Sequence, residues 1–549
     1  MGFFVFYGGI IMAKYVFVTG GVCSGLGKGI TASSIALLLK SKGYKVFMQK
    51  FDPYMNVDPG TMSPIQHGEV FVTADGCETD LDLGHYERFI DEELNYTSNI
   101  TNGKIYSSVI EKERRGDFLG ATIQIVPHIS NEIKNKVYEA GTSSGADIVI
   151  TEIGGTVGDI ESGVMMESLR QIRLELGREN TLFVHTTLVP YLYGSNELKT
   201  KPTQNSIIDL RRLGIQPDII VTRAPIDLTD DVKRKIALFG SIPSENIIEA
   251  KDVTNVYQIP LNFHRQNIEE IILKQFGLKV TKSNLDNWEK LLKKSENLKN
   301  EVEIALVGKY VSLEDAYLSV KEALKAAGYV YDTKVKINWI DSELLEKSDT
   351  NLEEVFKNSS GILVPGGFGS RGIEGKIKAC NYARVNKIPY LGICLGMQIA
   401  TIEYARNVCG LEDATSTEFK ATCKNPVIDL MADQKSIINM GGTLRLGNYL
   451  CRLKKGTLAY DDYKSNEILE RHRHRYEFNN KYRDILTKNG LILSGINPDA
   501  DLVEIIELPK SVHPHFIASQ FHPEFKSRPT KAHPLFKSFV EASIKYNKK

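Results

Sequence analysis

Two stretches of the chain place reactive residue types between a β-branched run and a helical run, where backbone amides and side chains can both meet a ligand. The first is Gly20-Gly21-Val22-Cys23-Ser24-Gly25-Leu26-Gly27-Lys28-Gly29, behind YVFVTGG at 15–21 and ahead of ITASSIALLLKSKG. Strand, glycine-rich loop and helix together make a phosphate cradle: glycines admit backbone N–H groups to the anion, the helix N-terminus adds its dipole, and Lys28 supplies a point charge. The second is Gly392-Ile393-Cys394-Leu395-Gly396-Met397-Gln398, between IPYLGI and MQIATIEYAR. A sharp strand-to-helix turn exposes Cys394, the next N–H, that of Leu395, can stabilise an oxyanion, and the helix N-terminus favours the thiolate. Gln520-Phe521-His522-Pro523-Glu524 offers the partners, His522 as the base and Glu524 to orient the ring and stabilise its charge.

The phosphate loop departs from the GxxxxGK[ST] form. The spacing from Gly21 to Lys28 is one residue longer, and Gly29 stands where a magnesium-binding hydroxyl is expected, so the metal must be held elsewhere. Carboxylates at strand ends suit hard magnesium, and the candidates are Asp82, in ETDLDLGHYERF, and Glu152, closing DIVITE. Lys199-Thr200-Lys201-Pro202-Thr203-Gln204 reads as a short loop rich in ammonium and hydroxyl donors, suited to phosphate. Arg471-His472-Arg473-His474-Arg475, without interleaved aromatics, reads as a local anion site or a solvated face rather than a nucleic-acid surface.

Elements that could position these residues follow an α/β pattern. In the first half, β-branched or aromatic runs at 15–21, 44–50, 147–155, 181–190 and 217–223 alternate with helical stretches, which predicts a parallel sheet flanked by helices. A polar, Lys-rich stretch at 279–301 reads as a linker helix. A second strand-helix series opens with VEIALVGKY at 302–310 and continues through KVKINWID, GILVPGG and IPYLGIC. Two α/β domains are predicted, residues 13–278 and 302–549, each a mainly parallel sheet. The 549 residues suffice for several domains at about 150 each. Lys plus Arg and Asp plus Glu balance at 68 each, which lacks the electrostatic footprint of a dedicated nucleic-acid binder.

Seven cysteines without CxxC spacing suggest neither a disulfide framework nor a zinc cluster and fit a reducing cytoplasm; the six besides Cys394 read as buried small residues. No run reaches the roughly 18 apolar residues of a membrane span. The apolar MGFFVFYGGIIM lacks a basic n-region and a cleavage site, so residues 1–12 read as an N-terminal extension, with Met12 as the expected functional start.

A nucleoside-triphosphate loop and a cysteine hydrolase elbow on one chain resemble the CTP synthase family. The resemblance covers nearly everything after residue 13 and rests on GGVCSGLGKG, DPYMNVDPGTMSPIQHGEVFVT, ETDLDLGHYERF, EIGGTVGDIES, KTKPTQ, VPGGFGSRG, LGICLGMQ, GGTLRLG, ERHRHRYE and QFHPEF. It implies a P-loop-like N-terminal amidoligase domain and a C-terminal class I glutamine amidotransferase domain. The implied reaction is ATP-dependent phosphorylation of the UTP 4-oxygen, followed by displacement of that phosphate by ammonia from glutamine, passed through an internal tunnel.

Matched motif by motif, the resemblance places ATP on Gly25, Leu26, Gly27, Lys28, Gly29 and Ile30, with Lys50, Asp82 and Val253, and magnesium on Asp82 and Glu152. It places UTP on Ser24, Lys199, Thr200, Lys201, Pro202, Thr203, Gln204 and Lys235, with Asp159, Ile160 and Glu161 in the part that also accepts the inhibitor CTP. The implied triad is Cys394, His522 and Glu524, and glutamine falls on Gly367, Leu395, Gly396, Met397, Gln398, Glu418 and Arg475. Gly367 and Leu395 would supply oxyanion N–H groups, and Arg475 suits the substrate α-carboxylate. The resemblance further implies GTP activation, a cytoplasmic homotetramer and, as in some members, filaments. The extension has no counterpart in the family pattern, and the segment Leu430 to Met440, before Gly441-Gly442, is shorter than in many relatives. Two other classes stay open: a different glutamine-dependent ATP ligase, against which KTKPTQ and SPIQHGEVFVT argue, and a nucleotide-sensing scaffold, against which the triad and phosphate loop argue.

Overall fold

The computed structural model describes residues 13–430 and 443–548; the extension 1–12, including Met12, and the segment 431–442 lie outside the described residues. The chain forms two compact units that are not contiguous in sequence. The first takes residues through Asp58 and His85–Glu289, and the second takes Pro59–Gly84 and everything from Lys290 onward.

The first unit is built on a seven-stranded sheet. Its strands lie in the order Ile247–Lys251, Ile219–Ala224, Thr181–Leu188, Lys14–Gly20, Ile148–Ile153, Val46–Asp52 and Asn99–Thr101. All pairings are parallel. Helices cover a parallel sheet, so its strands run apolar along their whole length; Val16, Phe17 and Val18 are fully buried. Phe17 and Phe183, on neighbouring strands, meet at 5.2 Å between ring centroids. The runs at 15–21, 44–50, 147–155, 181–190 and 217–223 become five of these strands, while Asn99–Thr101 and Ile247–Lys251 are additions at the two edges.

The second unit holds a nine-stranded sheet ordered Thr333–Asp341, Asn300–Gly308, Gly361–Val364, Tyr390–Ile393, Phe516–Ser519, Leu502–Glu507, Ile492–Asn497, Arg445–Leu453 and Glu467–His474. The first five strands pair in parallel. The remaining pairings are antiparallel, so the expected mainly parallel sheet describes only the first half of this one. The predicted linker helix is present as Asp286–Glu296, and its apolar residues Trp288, Leu291 and Leu292 are buried, with Trp288 Nε1 donating to the Tyr257 carbonyl at 2.7 Å. Among the described residues no helix is long and apolar enough to cross a membrane.

Phe183 is 1% exposed in a packed aromatic pair. Phe183→Ala is expected to destabilise the first unit by about 3–5 kcal/mol, because the lost transfer energy is joined by the cavity left behind. Urea unfolding followed by circular dichroism would check it.

Candidate active sites

The strand Lys14–Gly20 delivers the glycine-rich loop to the head of the helix Lys28–Ser41. Gly27 caps that helix in the left-handed conformation, φ 88°, with no side-chain cap, and a helix start of this kind carries the positive end of the helix dipole, which suits an anion. Gly21 is required by close approach: a Cβ there would lie 1.6 Å from Ser206 Oγ and 3.3 Å from His185 Cε1. Beneath the loop a buried relay runs from Thr19 Oγ1 to His185 Nδ1 at 2.9 Å and from His185 Nε2 to Ser206 Oγ at 2.8 Å. Burial, reinforced by the nearby Lys28 charge, pushes His185 down to about 3, so the ring is neutral. The Lys28 ammonium donates to the Gly155 carbonyl, and Arg223 Nη1 donates to the Gly25 carbonyl at 2.7 Å while its Nε pairs with Asp252 at 2.8 Å.

Lys50 and Glu152 are register partners at the carboxyl ends of adjacent parallel strands, the edge where α/β sheets bind ligands. Lys50 is ion-paired with Asp52 at 3.3 Å, and Glu152, 3% exposed, accepts the Tyr86 hydroxyl. A carboxylate oriented in this way fits magnesium, which takes one or two carboxylates and completes its shell with phosphate oxygens and water. Asp82 opens the helix Asp82–Ile90, and Val253 is half-buried just beyond the strand Ile247–Lys251 and next to Asp252. Among the described residues no group of three or more potential metal ligands is gathered.

The KTKPTQ stretch is not a free loop. Lys201–Arg212 is a helix with Pro202 in its first turn, where a missing N–H costs nothing. Lys199, Thr200, Lys201, Gln204 and Lys235 line one concavity of about 280 Å³. Val22, Thr156, Lys201 and Pro202 border a neighbouring one of about 380 Å³. Thr203 faces inward, its hydroxyl donating to the Leu188 carbonyl at 2.8 Å, whereas Ser24, Asp159, Ile160 and Glu161 are exposed on loops.

In the second unit Cys394 joins the strand Tyr390–Ile393 to the helix Leu395–Asn407 with φ 52° and ψ −101°. A non-glycine residue held at positive φ is strained, which is the signature of a nucleophile elbow. The Cys394 carbonyl accepts the Met397 and Gln398 N–H groups, and Leu395 and Gly396, at the start of the helix, lack helix carbonyls to bond. Gln398 is committed to the fold, its amide donating to the Tyr476 carbonyl at 3.0 Å. His522 Nδ1 pairs with Glu524 Oε1 at 2.7 Å, which leaves Nε2 without a hydrogen-bond partner. Gly366 closes the group: a Cβ on it would lie 2.7 Å from His522 Cε1 and 3.6 Å from Cys394 Cβ. Burial opposes charge on His522, but Glu524 and Cys394 outweigh it and hold the ring up to about 10.

These residues open on a cavity of about 440 Å³ whose wall includes Gly367, Cys394, Arg473, His522 and Glu524, with Gly60–Pro64 and Val70 from the inserted segment. Glu418 accepts the Gly369 N–H at 2.7 Å, and burial raises its carboxyl. Arg475 Nη2 donates to Thr443 Oγ1 at 2.6 Å. The RHRHR stretch, read as a local anion site or solvated face, is instead the strand Glu467–His474 and its continuation, with Arg471, His472 and His474 buried. Successive side chains on a strand point to opposite faces. On one face, Arg471 donates to the Val72 carbonyl at 3.0 Å and Arg473 pairs with Glu78 at 2.8 Å. On the other, His472 and His474 hydrogen-bond at 2.8 Å beside Arg445, which pairs with Glu504 at 2.7 Å and Glu477 at 3.3 Å.

Sequence reasoning passed over His185, Arg223 and the Glu78–Arg473 pair. Only Arg473 carried a local signal, its place in the basic run, because the other partners meet across 395 residues of chain or beneath a loop. The expectation that the remaining cysteines are buried holds for Cys380 and Cys451; Cys77, Cys409 and Cys423 are half-buried, and Cys23 is exposed because its loop bulges beyond the sheet.

The profile of the CTP synthase N-terminus matches residues 14–278 and that of glutamine amidotransferase class-I matches residues 312–542. A CTP synthase from Caldanaerobacter subterraneus subsp. tengcongensis is 59% identical over 533 residues, 97% of this chain and 98% of its own. The Bacillus subtilis CTP synthase is 56% identical over 533 residues, 97% and 99% of the two chains. A solved glutaminase domain of Trypanosoma brucei CTPS with bound acivicin aligns at 40% identity over 44% of this chain and 94% of its own, with a TM-score of 0.42.

Because the folded value of His522 lies above the ordinary 6.5, its protonation adds stability that is fully present below pH 6.5 and is lost as pH rises through about 10. Glu524→Gln removes the largest raising influence, and His522 is expected to titrate lower by about one pH unit or more. Imidazole proton shifts followed against pH would check it.

Proposed function

The chain belongs to the CTP synthase family, and from that premise we propose which residues carry each half of the reaction. It is a ligase of pyrimidine biosynthesis that aminates UTP to CTP, with ATP as energy source and glutamine as nitrogen donor. The observation that carries the assignment is the pairing of a glycine-rich helix start in one unit with a strained cysteine elbow in the other.

In the glutaminase half, the proton shared by Cys394 and His522 rests on the His522 ring, which is held charged at neutral pH, and the Cys394 sulfur attacks the glutamine amide carbon. The oxyanion forms against the N–H groups of Gly367 and Leu395. When the C–N bond breaks, His522 returns the proton to the departing ammonia, and water activated by the same ring releases glutamate from the thioester. Glu524 keeps the imidazole oriented and its charged form favoured throughout, which the 2.7 Å contact supports. Glu418 and Arg475 hold the substrate amino and carboxylate groups, and Gly396, Met397 and Gln398, buried in the first turn of the helix Leu395–Asn407, support the glutamine site through the elbow.

In the synthetase half, Gly25, Leu26, Gly27, Lys28, Gly29 and Ile30 cradle the ATP phosphates, with Lys50 alongside and Val253 against the base. UTP occupies the concavity of Lys199, Thr200, Lys201, Gln204 and Lys235, with Pro202 on the neighbouring concavity, Thr203 holding the helix start from within and Ser24 contributed by the glycine-rich loop. Asp159, Ile160 and Glu161 belong to the part shared with CTP as feedback inhibitor. The UTP 4-oxygen attacks the ATP γ-phosphorus, ADP leaves, and ammonia then displaces phosphate from C4. Asp82 and Glu152 would be the ligands for magnesium, which would supply charge neutralisation for the phosphoryl group in transfer. Family membership supports extending this reading to domains at 13–278 and 302–549, a cytoplasmic homotetramer, filaments, and GTP as activator.

Conversion of UTP to CTP with ATP and magnesium, comparing glutamine with ammonium, tests the assignment. Wild type is expected to use both nitrogen sources, Cys394→Ala only ammonium, and Lys28→Ala neither, with at least ~10²-fold loss. Absence of CTP from either source in well-assembled wild type would overturn it.

A further inference from the structure

Lys376 is a buried charge that the glutaminase steps above leave unused. It lies in the first turn of the helix Ile373–Val385, is 1% exposed, and brings its ammonium close to Gly367. Its Nζ lies 4.0 Å from where a Cβ of Gly367 would stand. The charged groups around it come from every neighbouring element: Lys309 after the strand Asn300–Gly308, Asp341 ending the strand Thr333–Asp341, Arg371 ahead of its own helix, and Glu418 after the strand Ala414–Ser416. Each of three neighbours is engaged elsewhere: Arg371 with Glu343 at 2.7 Å, Lys309 with the Phe368 carbonyl at 3.0 Å, and Glu418 with the Gly369 N–H at 2.7 Å. Among the described residues no carboxylate lies within ion-pair distance of Lys376, although a buried ammonium without a partner carries a large desolvation cost.

A buried cation without an ion-pair partner is suited to a place where negative charge develops beside it during a reaction. In the reading above, the glutaminase step creates such a charge on the oxygen held at Gly367, the residue that the Lys376 ammonium approaches. We propose that Lys376 is a positioning residue of the glutaminase half-reaction, holding a fixed positive charge beside Gly367 that the tetrahedral oxyanion meets as it forms. The charge is in place before the reaction and needs no reorganisation, the condition under which electrostatic stabilisation is most effective. Burial lowers the Lys376 ammonium to about 8, with Lys309 and Arg371 adding to the effect and Glu418 and Asp341 opposing it. The charged form is therefore present at neutral pH and lost in mild alkali.

The inference rests on Cys394 as the glutaminase nucleophile, and the full-length enzyme tests both separately. Lys376→Met and Lys376→Gln are expected to lower the kcat of glutamine hydrolysis by about 10- to 100-fold with KM changed less than about threefold. Ammonium-dependent CTP synthesis is expected to be unchanged. Alkylation of Cys394 by iodoacetamide passes through no oxyanion, so its rate should also be unchanged. In wild type, kcat for glutamine should fall above about pH 8, and in the variants that limb should move toward the value of about 10 set by His522. A wild-type kcat flat from pH 7 to 9, a measurement that needs no variant, would overturn the proposal. So would variants that hydrolyse glutamine at the wild-type rate, or that lose alkylation and ammonium-dependent activity in parallel. Wild type that hydrolyses no glutamine would instead sink the assignment of Cys394.

Discussion

Both reaction centres depend on one backbone constraint: a buried parallel strand must turn into a helix within a few residues. In the first unit the strand Lys14–Gly20 makes that turn through glycines, and at Gly21 the backbone lies so close to Ser206 and His185 that a methyl group has no room. In the second the strand Tyr390–Ile393 makes it through Cys394 itself, which occupies a strained left-handed φ. The first solution gives a glycine-rich helix start of the kind that suits an anion. The second places the protein's own sulfur at the same kind of helix end.

Around the cysteine the second unit buries an unusual amount of charge. Arg445 lies between Glu504 and Glu477, and beside it burial and the Arg445 charge keep His472 and His474 neutral. Removing one member of such a group leaves its partners charged and unpaired, which costs far more than a surface pair is worth. The same strand sends Arg473 to the opposite face, where its pairing with Glu78 is part of what makes Pro59–Gly84 belong to this unit. The period of two along Arg471–Arg475 thus serves structure on one side and the cavity wall on the other.

Local chemistry was readable wherever it was contiguous. GGVCSGLGKG and LGICLGMQ each contain their own strand end, turn and helix start, and the structure builds both as those elements. Readings failed where a short string was judged without its neighbours. KTKPTQ reads as a loop on its donors, yet Pro202 suits a helix start and Thr203 is drawn inward by the Leu188 carbonyl. RHRHR reads as solvated on its charge, yet the partners that pay for its burial come from Val72, Glu78, Glu477 and Glu504, none of them predictable from the run itself.

The amino-acid sequence by itself determined the two strand-turn-helix motifs and the parallel core of the first unit, because each is set by residues adjacent in the chain, and it nominated Cys394 and His522 as nucleophile and base. Tertiary structure alone decided the rest. It brought His522 and Glu524 against Gly366 and Cys394, assigned Pro59–Gly84 to the second unit, completed that unit's sheet with antiparallel strands, and set the Lys376 ammonium beside Gly367. Burial and charge pairing act between residues far apart in sequence, and their sign depends on which distant groups arrive as neighbours.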